Sequence, residues 1–319
     1  MNVLLLAAGL GTRLQPYTHS FAKPVIPFLN VPMGLYQFQY LKCLEKSISS
    51  FVVNTHHLPQ QIEQLYSNQP YLNIKPKFSN ETKKILGSGG AVKKAEALLT
   101  KNKSIILMNA DEVYFNKDTT FLQKVMASHE QSKVLATLVV MDHPQAGLKF
   151  GALWSENDND NKVKHIGKSA PQAHMKTQLK PWHYIGVCIL SWEVMSYIKP
   201  EIEQNILYDV LFPYLDRLQI YKIQSQWFET GNKEDLLIAA KTMLTSLSTN
   251  HYLQNFINQY DDSQLIANSL TTSLISKSLN IDPKNLLGFN CISKSTVMNE
   301  NSQFENSIAF ADQLIVSDN

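Results

Sequence analysis

LLLAAGLGTRL, residues 4–14, drives an apolar strand straight into two glycines, a threonine and one of only two arginines in 319 residues. The apolar run Val3–Ala7 does not alternate with polar residues, so it reads as a parallel strand covered on both faces. A glycine-rich turn after such a strand can bring backbone N–H groups against phosphate. A Walker loop needs GxxxxGK(S/T), but Gly11-Thr12 is followed by Arg13-Leu14, which excludes it. A dinucleotide fingerprint needs GxGxxG with an acid about 20 residues on. Here the third glycine position is Leu14 and the second strand ends in Asn54, so that reading is poor. What remains is GxGTRL followed by Pro16, Thr18, Lys23, Pro24 and Pro27. The chain uses lysine over arginine 27 to 2. An arginine in this turn therefore suits a need for a planar, permanently charged fork on an anion.

Bulk composition narrows the classes. Net charge is +2, from 29 basic and 27 acidic side chains. That gives no overall drive toward nucleic acid or anionic lipid, so an anion site must be local. Cys43, Cys188 and Cys291 are widely spaced, with no CxxC pair, and suggest neither disulfides nor zinc. The adjacent His56 and His57 lack metal-ligand spacing. No basic residue precedes the short apolar start, and no stretch approaches the ~20 apolar residues of a membrane helix, so a cytoplasmic protein is expected.

Further along, strand patterns recur at 51–54, 104–108, 134–141, 183–190 and 219–223, with a hairpin over 151–154 and 162–166. Helical spacing marks 32–47, 59–66, 90–99, 119–130, 207–215 and 233–247. This alternation predicts an α/β domain with a mostly parallel, helix-flanked sheet. It is expected to span 1–248, with SLSTN as the junction. In the remainder, 249–319, Leu286, Ile292, Met298, Phe304, Phe310 and Val316 recur every six residues amid Ser and Asn. That period predicts a linker helix and a short left-handed β-helix-like tail, each position filling an inner corner. With only about two coils, it must lean on the main domain or on another subunit, which leaves a homo-oligomer open.

The stretch LLLAAGLGTRLQPYTHSFAKPVIP resembles the signature of the sugar-1-phosphate nucleotidyltransferases, with Ala22 where proline is usual. The mannose-1-phosphate guanylyltransferase and N-acetylmuramate-1-phosphate uridylyltransferase branches are the nearest in pattern. LGSGGAVKKA (86–95), NADEVYF (109–115), KFGALW (149–154), HIGKSAP (165–171), HYIGVCIL (183–190), NILYDVLFP (205–213) and WFETGNKEDLLIAA (227–240) resemble later motifs in the same order. The resemblance implies a Rossmann-like nucleotidyltransferase domain joining an NTP to a sugar 1-phosphate, with release of pyrophosphate. Arg13 and Lys23 would be catalytic. Leu6, Ala8, Gly9, Gly11, Thr12, Glu81, Gly87 and Gly90 would bind the nucleotide. Gly151, Lys168, Gly186 and Asp209 would bind the sugar phosphate, and Asp111 and Glu229 would hold Mg²⁺. GTP is the base the pattern leans to, with UTP and CTP as alternatives; neither nucleic acid nor membrane is implied.

Three departures stand out. Glu229 replaces the usual aspartate, which lengthens a metal ligand by one methylene, and Mg²⁺ tolerates little geometric error. Gly167 and Leu207 stand where relatives often carry acids for sugar hydroxyls. These losses imply a different substrate or contacts supplied from elsewhere. They also keep two other readings open: a phosphocholine-type cytidylyltransferase, and a non-catalytic sugar-nucleotide-binding regulator.

Overall fold

A computed structural model describes residues 1–170, 179–299 and 302–317. The core is a nine-stranded sheet. Its first half is parallel. Strand β1 (Asn2–Leu6) lies between β2 (Ser50–Thr55) and β4 (Ile105–Asn109), and β3 (Lys77–Asn80) extends the edge beyond β2. Val3, Leu4, Leu5, Val52, Val53, Ile106 and Leu107 are all buried. This is the continuous apolar run that a strand covered on both faces requires.

Next come the short β5 (Val113–Phe115), β6 (Ala136–Met141), β7 (Ala152–Ser155) and β8 (His165–Gly167). The long β9 (Lys180–Leu190) runs antiparallel to β4, β6 and β7, so the second half of the sheet is mixed. β10 (Leu218–Ile223) closes that edge, parallel to β6. β9 slips register against β6 between Tyr184 and Cys188, and Gly186, with φ of 73°, sits in the slip. Such a bulge re-aims side chains near functional sites. β11 (Gln226–Phe228) pairs antiparallel with β5, away from the main sheet.

The helices include α1 (Pro59–Ser67), α2 (Gly87–Lys94), α3 (Phe121–Ser132) and α4 (Lys233–Leu247). Two expected helices are broken. Residues 33–47 form short turns around Phe38–Leu41, and 206–217 join a π-helical turn to a 3₁₀ stretch. Segment 38–41 is buried on every side, so amphipathic spacing is not what organises it. α2 starts at Gly87, inside the glycine run, rather than at 90. No helix among the described residues is long and apolar enough to cross a membrane.

After 248 the chain forms α5 (His251–Tyr260), N-capped by Asn250, and then a five-stranded sheet. Its strands are β12 (Ser263–Ala267), β13 (Thr271–Ser276), β14 (Leu286–Ile292), β15 (Phe304–Phe310) and β16 (Gln313–Val316). β13, β14 and β15 stack in parallel as in a β-helix, and β12 and β16 cover the two edges antiparallel. Of the six-residue series, Leu286, Ile292, Phe304 and Phe310 are buried and Met298 packs beside them, whereas Val316 on the returning edge strand is exposed. The spatial repeat is longer than six: Leu274, Cys291 and Ile308 lie in register. So do Ser273, Asn290 and Ser307, a buried polar ladder in which Asn290 donates to Ser273 Oγ (3.0 Å) and accepts from Ser307 Oγ (2.8 Å). The Ser and Asn content of the tail is therefore structural.

The tail leans on the main domain. Asn30 donates to Ser263 Oγ and to the Ile292 carbonyl, both at 3.0 Å, Tyr17 donates to the Leu314 carbonyl, and Phe21 meets Phe310 edge-on. The stretch that follows the glycine turn is braced from behind by these contacts.

Candidate active site

Register places the site. Leu6 pairs with Asn109, so the turn after β1 and the turn after β4 leave the sheet side by side at its carboxyl edge. Open α/β sheets bind ligands at that edge. The pairing of β5 with β11 then brings the chain at 229 back beside 111. Thr230 Oγ1 donates to the Asp111 carbonyl at 3.1 Å and fixes that approach.

These elements enclose a cavity of about 270 Å³ lined by Arg13, Lys23, Asp111, Gly151 and Glu229, among others. Five residues that the sequence assigned to catalysis, metal or sugar phosphate thus converge. Lys23 Nζ lies 2.8 Å from Asp111 Oδ2, and Arg13 Nη1 lies 3.7 Å from Glu229 Oε1. Burial pushes the Asp111 carboxyl up, but Lys23, by charge and hydrogen bond, together with Arg13 outweighs it and holds the group below its usual range. Glu229 Oε1 also accepts from Gly231 N at 2.7 Å. Arg13 is two-thirds exposed, whereas Lys23 is buried.

On the nucleotide side, Gly9 has open space where a Cβ would be, so its backbone is approachable, and Gly11 is left-handed at φ 63°. Thr12 is exposed beside them, Ala8 is buried and Leu6 half-buried. Glu81 is buried and holds the loop rather than facing the cavity. It accepts from Asn54 Nδ2 (2.8 Å) and from Leu86 N (2.7 Å), while Asn54 Oδ1 accepts from Ala7 N (2.6 Å). Asn54 thus clips the glycine turn to the 81–86 loop. Gly87 and Gly90 pack against 202–204: added Cβ atoms would sit 2.6 Å from the Gln204 carbonyl and 2.8 Å from that of Ile202. Their lack of side chains serves that internal packing.

Two expected sugar-phosphate residues stay away from the cavity. Lys168 is exposed just past β8 and is not among the lining residues. Asp209 is exposed, and its Oδ2 accepts from Asn205 N at 2.6 Å, capping the turn that follows. Gly186 does clear space, but for Glu112: an added Cβ would lie 2.7 Å from Glu112 Cγ and 2.8 Å from Asn109 Nδ2.

Glu112, His183, Tyr208 and Trp227 line the cavity and were not singled out in the sequence. The only signals were an acid directly after Asp111 and the tryptophan of WFETG. Burial, then the neighbouring Asp111 charge, pushes the Glu112 carboxyl up to about 7. Burial, then His143, lowers His183 to about 4. Among the described residues no three His, Cys, Asp or Glu side chains form a metal cluster, so a cation here would have two protein carboxylates at most from 111 and 229. Hard oxygen ligands few in number, with phosphates and water completing the shell, fit Mg²⁺.

A carboxyl-edge cleft in an open α/β sheet, with cations and carboxylates facing one cavity, marks a protein that handles phosphates. Residues 2–246 match the nucleotidyl transferase family, and the chain belongs to that family. It is 26% identical over 298 residues to a mannose-1-phosphate guanyltransferase of Emericella nidulans, covering 91% of this chain and 74% of that protein. It is 25% identical to a UTP–glucose-1-phosphate uridylyltransferase of Synechocystis over 257 residues, which is 77% of this chain and 64% of that one. It is also 27% identical to the catalytic subunit beta of a Dictyostelium discoideum mannose-1-phosphate guanylyltransferase, over 78% of this chain and 66% of that one. Against some relatives, then, the chain spans just under two thirds of their length. Among solved structures, the fold is shared with a UDP-glucose pyrophosphorylase of Acinetobacter baumanii (TM-score 0.62, 16% identity, 80% of this chain and 99% of that one). It is shared too with a Bacillus anthracis protein described as a putative glucose-1-phosphate thymidylyltransferase (0.61, 20%, 76% and 94%).

Proposed function

We propose that the protein joins an NTP to a sugar 1-phosphate, giving an NDP-sugar and pyrophosphate. The observation that carries this is the convergence of Arg13, Lys23, Asp111 and Glu229 on one cavity. The attacking group is a phosphate oxygen, already ionised at neutral pH, so the reaction needs no general base. The barrier lies in bringing two anions together, which positioning and preorganised charge can lower. Arg13, exposed at the cavity, neutralises the leaving pyrophosphate; Lys23, held in the wall, meets the α-phosphate. Asp111 and Glu229 would hold Mg²⁺, which supplies charge neutralisation between the two phosphates when bound. Glu229 reaches the cavity with its longer side chain, anchored by Gly231 N.

The relatives named as a mannose-1-phosphate guanyltransferase and a UTP–glucose-1-phosphate uridylyltransferase support trying GTP with mannose 1-phosphate and UTP with glucose 1-phosphate first. Pyrophosphate release is to be measured with each of ATP, GTP, CTP, UTP and dTTP against a panel of sugar 1-phosphates and phosphocholine. Release that requires a sugar 1-phosphate and Mg²⁺ is expected. Release only with phosphocholine, or nucleotide binding without release, contradicts the proposal.

A further inference from the structure

The cavity has two unlike halves. One holds the ion-paired groups, Lys23 with Asp111 and Arg13 with Glu229. The other is aromatic: Trp227 lies 4.3 Å from the His183 ring and 5.2 Å from Phe150, centroid to centroid. Glu112 stands between them. Its hydrogen-bond donors are both neutral, Trp227 Nε1 at 2.7 Å and Asn109 Nδ2 at 3.3 Å. A carboxylate accepts about four hydrogen bonds, so acceptor capacity remains. The backbone reserves the place for this side chain, because the left-handed Gly186 leaves the space that Glu112 Cγ fills.

His183 is the second observation. It is only 6% exposed, yet neither ring nitrogen has a hydrogen-bond partner. Buried polar atoms are normally paired, and because both nitrogens are closed off here, a hydroxyl from a ligand in the cavity reaches them once the ring turns toward the cavity it lines. A neutral imidazole offers one N–H donor and one acceptor. A hydroxyl is the neutral group that can donate to a carboxylate and accept from an imidazole N–H. A ring with an apolar C–H face and a hydroxylated edge fits an aromatic floor flanked by such groups.

We infer that Glu112 and His183 recognise hydroxyls of the second substrate's sugar ring, seated on Trp227 and Phe150, and so set which sugar 1-phosphate is accepted. This rests on the sugar-1-phosphate reading above. It assigns hydroxyl recognition to side chains outside positions 167 and 207.

The test uses the full chain with two probe pairs, mannose 1-phosphate with GTP and glucose 1-phosphate with UTP, and the monodeoxy analogues of each sugar. In the unaltered enzyme, removal of at least one hydroxyl should lower kcat/KM tenfold or more. In Glu112→Gln the KM for the parent sugar phosphate should rise about tenfold, and that deoxy penalty should shrink to within twofold. His183→Asn should erase the penalty at the same or an adjacent hydroxyl. Trp227→Phe, which keeps the ring but removes the donor to Glu112, should give a partial version of the Glu112→Gln pattern. The Kd for NTP alone should stay within twofold throughout. A flat deoxy series in the unaltered enzyme overturns the inference without recourse to any variant. So does an unchanged deoxy pattern in Glu112→Gln and His183→Asn, or a rise in NTP Kd that matches the rise in sugar KM. A preference for glucosamine 1-phosphate over glucose 1-phosphate that disappears in Glu112→Gln would reassign the carboxylate to an ammonium and overturn it too. No turnover of any sugar 1-phosphate by the unaltered enzyme overturns the parent reading as well, which separates the two failures.

Discussion

Lys23 Nζ sits 2.8 Å from Asp111 Oδ2 on the cavity wall, so the signature lysine occupies the carboxylate assigned to the metal. Substrate phosphate and a cation would exchange this pair, Lys23 moving to phosphate and Asp111 to the ion. Lys23→Met should therefore bind Mn²⁺ more tightly than the wild type in the absence of nucleotide, because the carboxylate is left free. Its kcat should fall about a hundredfold, on the scale of losing one electrostatic donor. Mn²⁺ binding followed by electron paramagnetic resonance checks the first effect; unchanged Mn²⁺ affinity would dissociate Asp111 from the metal.

Gly231 tests the other pair. An added Cβ there would lie 2.5 Å from Arg13 Nη2 and would also strike Glu229 Oε1. Gly231→Ala should split Arg13 from Glu229 and cut kcat/KM ten- to a hundredfold, while the melting temperature moves little, since Arg13 is largely exposed. A variant with normal kcat/KM would show that the placement of these two side chains is not needed for turnover.

Asn54 holds two loops through two side-chain hydrogen bonds, one to Ala7 N and one to Glu81. Asn54→Leu leaves Ala7 N unpaired and strips one partner from buried Glu81. Unsatisfied buried groups cost about 1–3 kcal/mol each. Denaturant unfolding should register a loss of about 2–4 kcal/mol, with a rise in NTP Kd because the glycine turn loses its clip. Undiminished stability would mean that water replaces the side chain there.

Acid should destabilise the fold through a histidine remote from the site. His129 is buried, with Nδ1 2.9 Å from Thr137 Oγ1 and Nε2 3.2 Å from Ser191 Oγ. Ser191 Oγ donates to the Val134 carbonyl and Gln219 Nε2 donates to Thr137 Oγ1, so the network is satisfied with the imidazole neutral and its proton on Nε2. Burial lowers this group from 6.5 to about 4. Its folded pKa lies below its unfolded one, so the unfolded chain takes up the proton first. Stability should be full above pH 6.5 and fall by up to about 3 kcal/mol as pH drops toward 4. His183, shifted the same way, adds to the fall. His129→Gln should flatten the slope in that window, and an unaltered slope would remove His129 as its source.

The parts of the fold that could be read from sequence were those where one physical signal acts alone. Leu4 and Leu5 without alternation meant a strand buried on both faces, and the turn that follows could not be a Walker loop. Segment 33–47 misled because its first part, 33–41, is buried all round, so helical spacing of its apolar residues carried no information about where the helix breaks. The tail's six-residue period identified parallel stacking, but the side-chain ladder of Ser273, Asn290 and Ser307 repeats at a longer interval that hydrophobicity does not record. In the site, Arg13 stood out by its residue type in the glycine turn, whereas Lys23, Asp111 and Glu229 were singled out only through the motif resemblance; the fold brings all four to one cavity. Glu112 and His183 were not legible, since their meaning comes from a bulge at Gly186 and a register between β5 and β11, which are tertiary facts. The sequence also does not show the internal roles of Glu81 and Gly87: the buried carboxylate holds the 81–86 loop and the glycine packs against Gln204.

The most direct test of the central claim is ³¹P detection of products from Mg²⁺, GTP and mannose 1-phosphate, and from Mg²⁺, UTP and glucose 1-phosphate, with the wild type and Asp111→Asn side by side. One pyrophosphate per NDP-sugar from the wild type, and at least a thousandfold slower formation of both by folded Asp111→Asn, is the predicted result. Equal rates from the two proteins would contradict it.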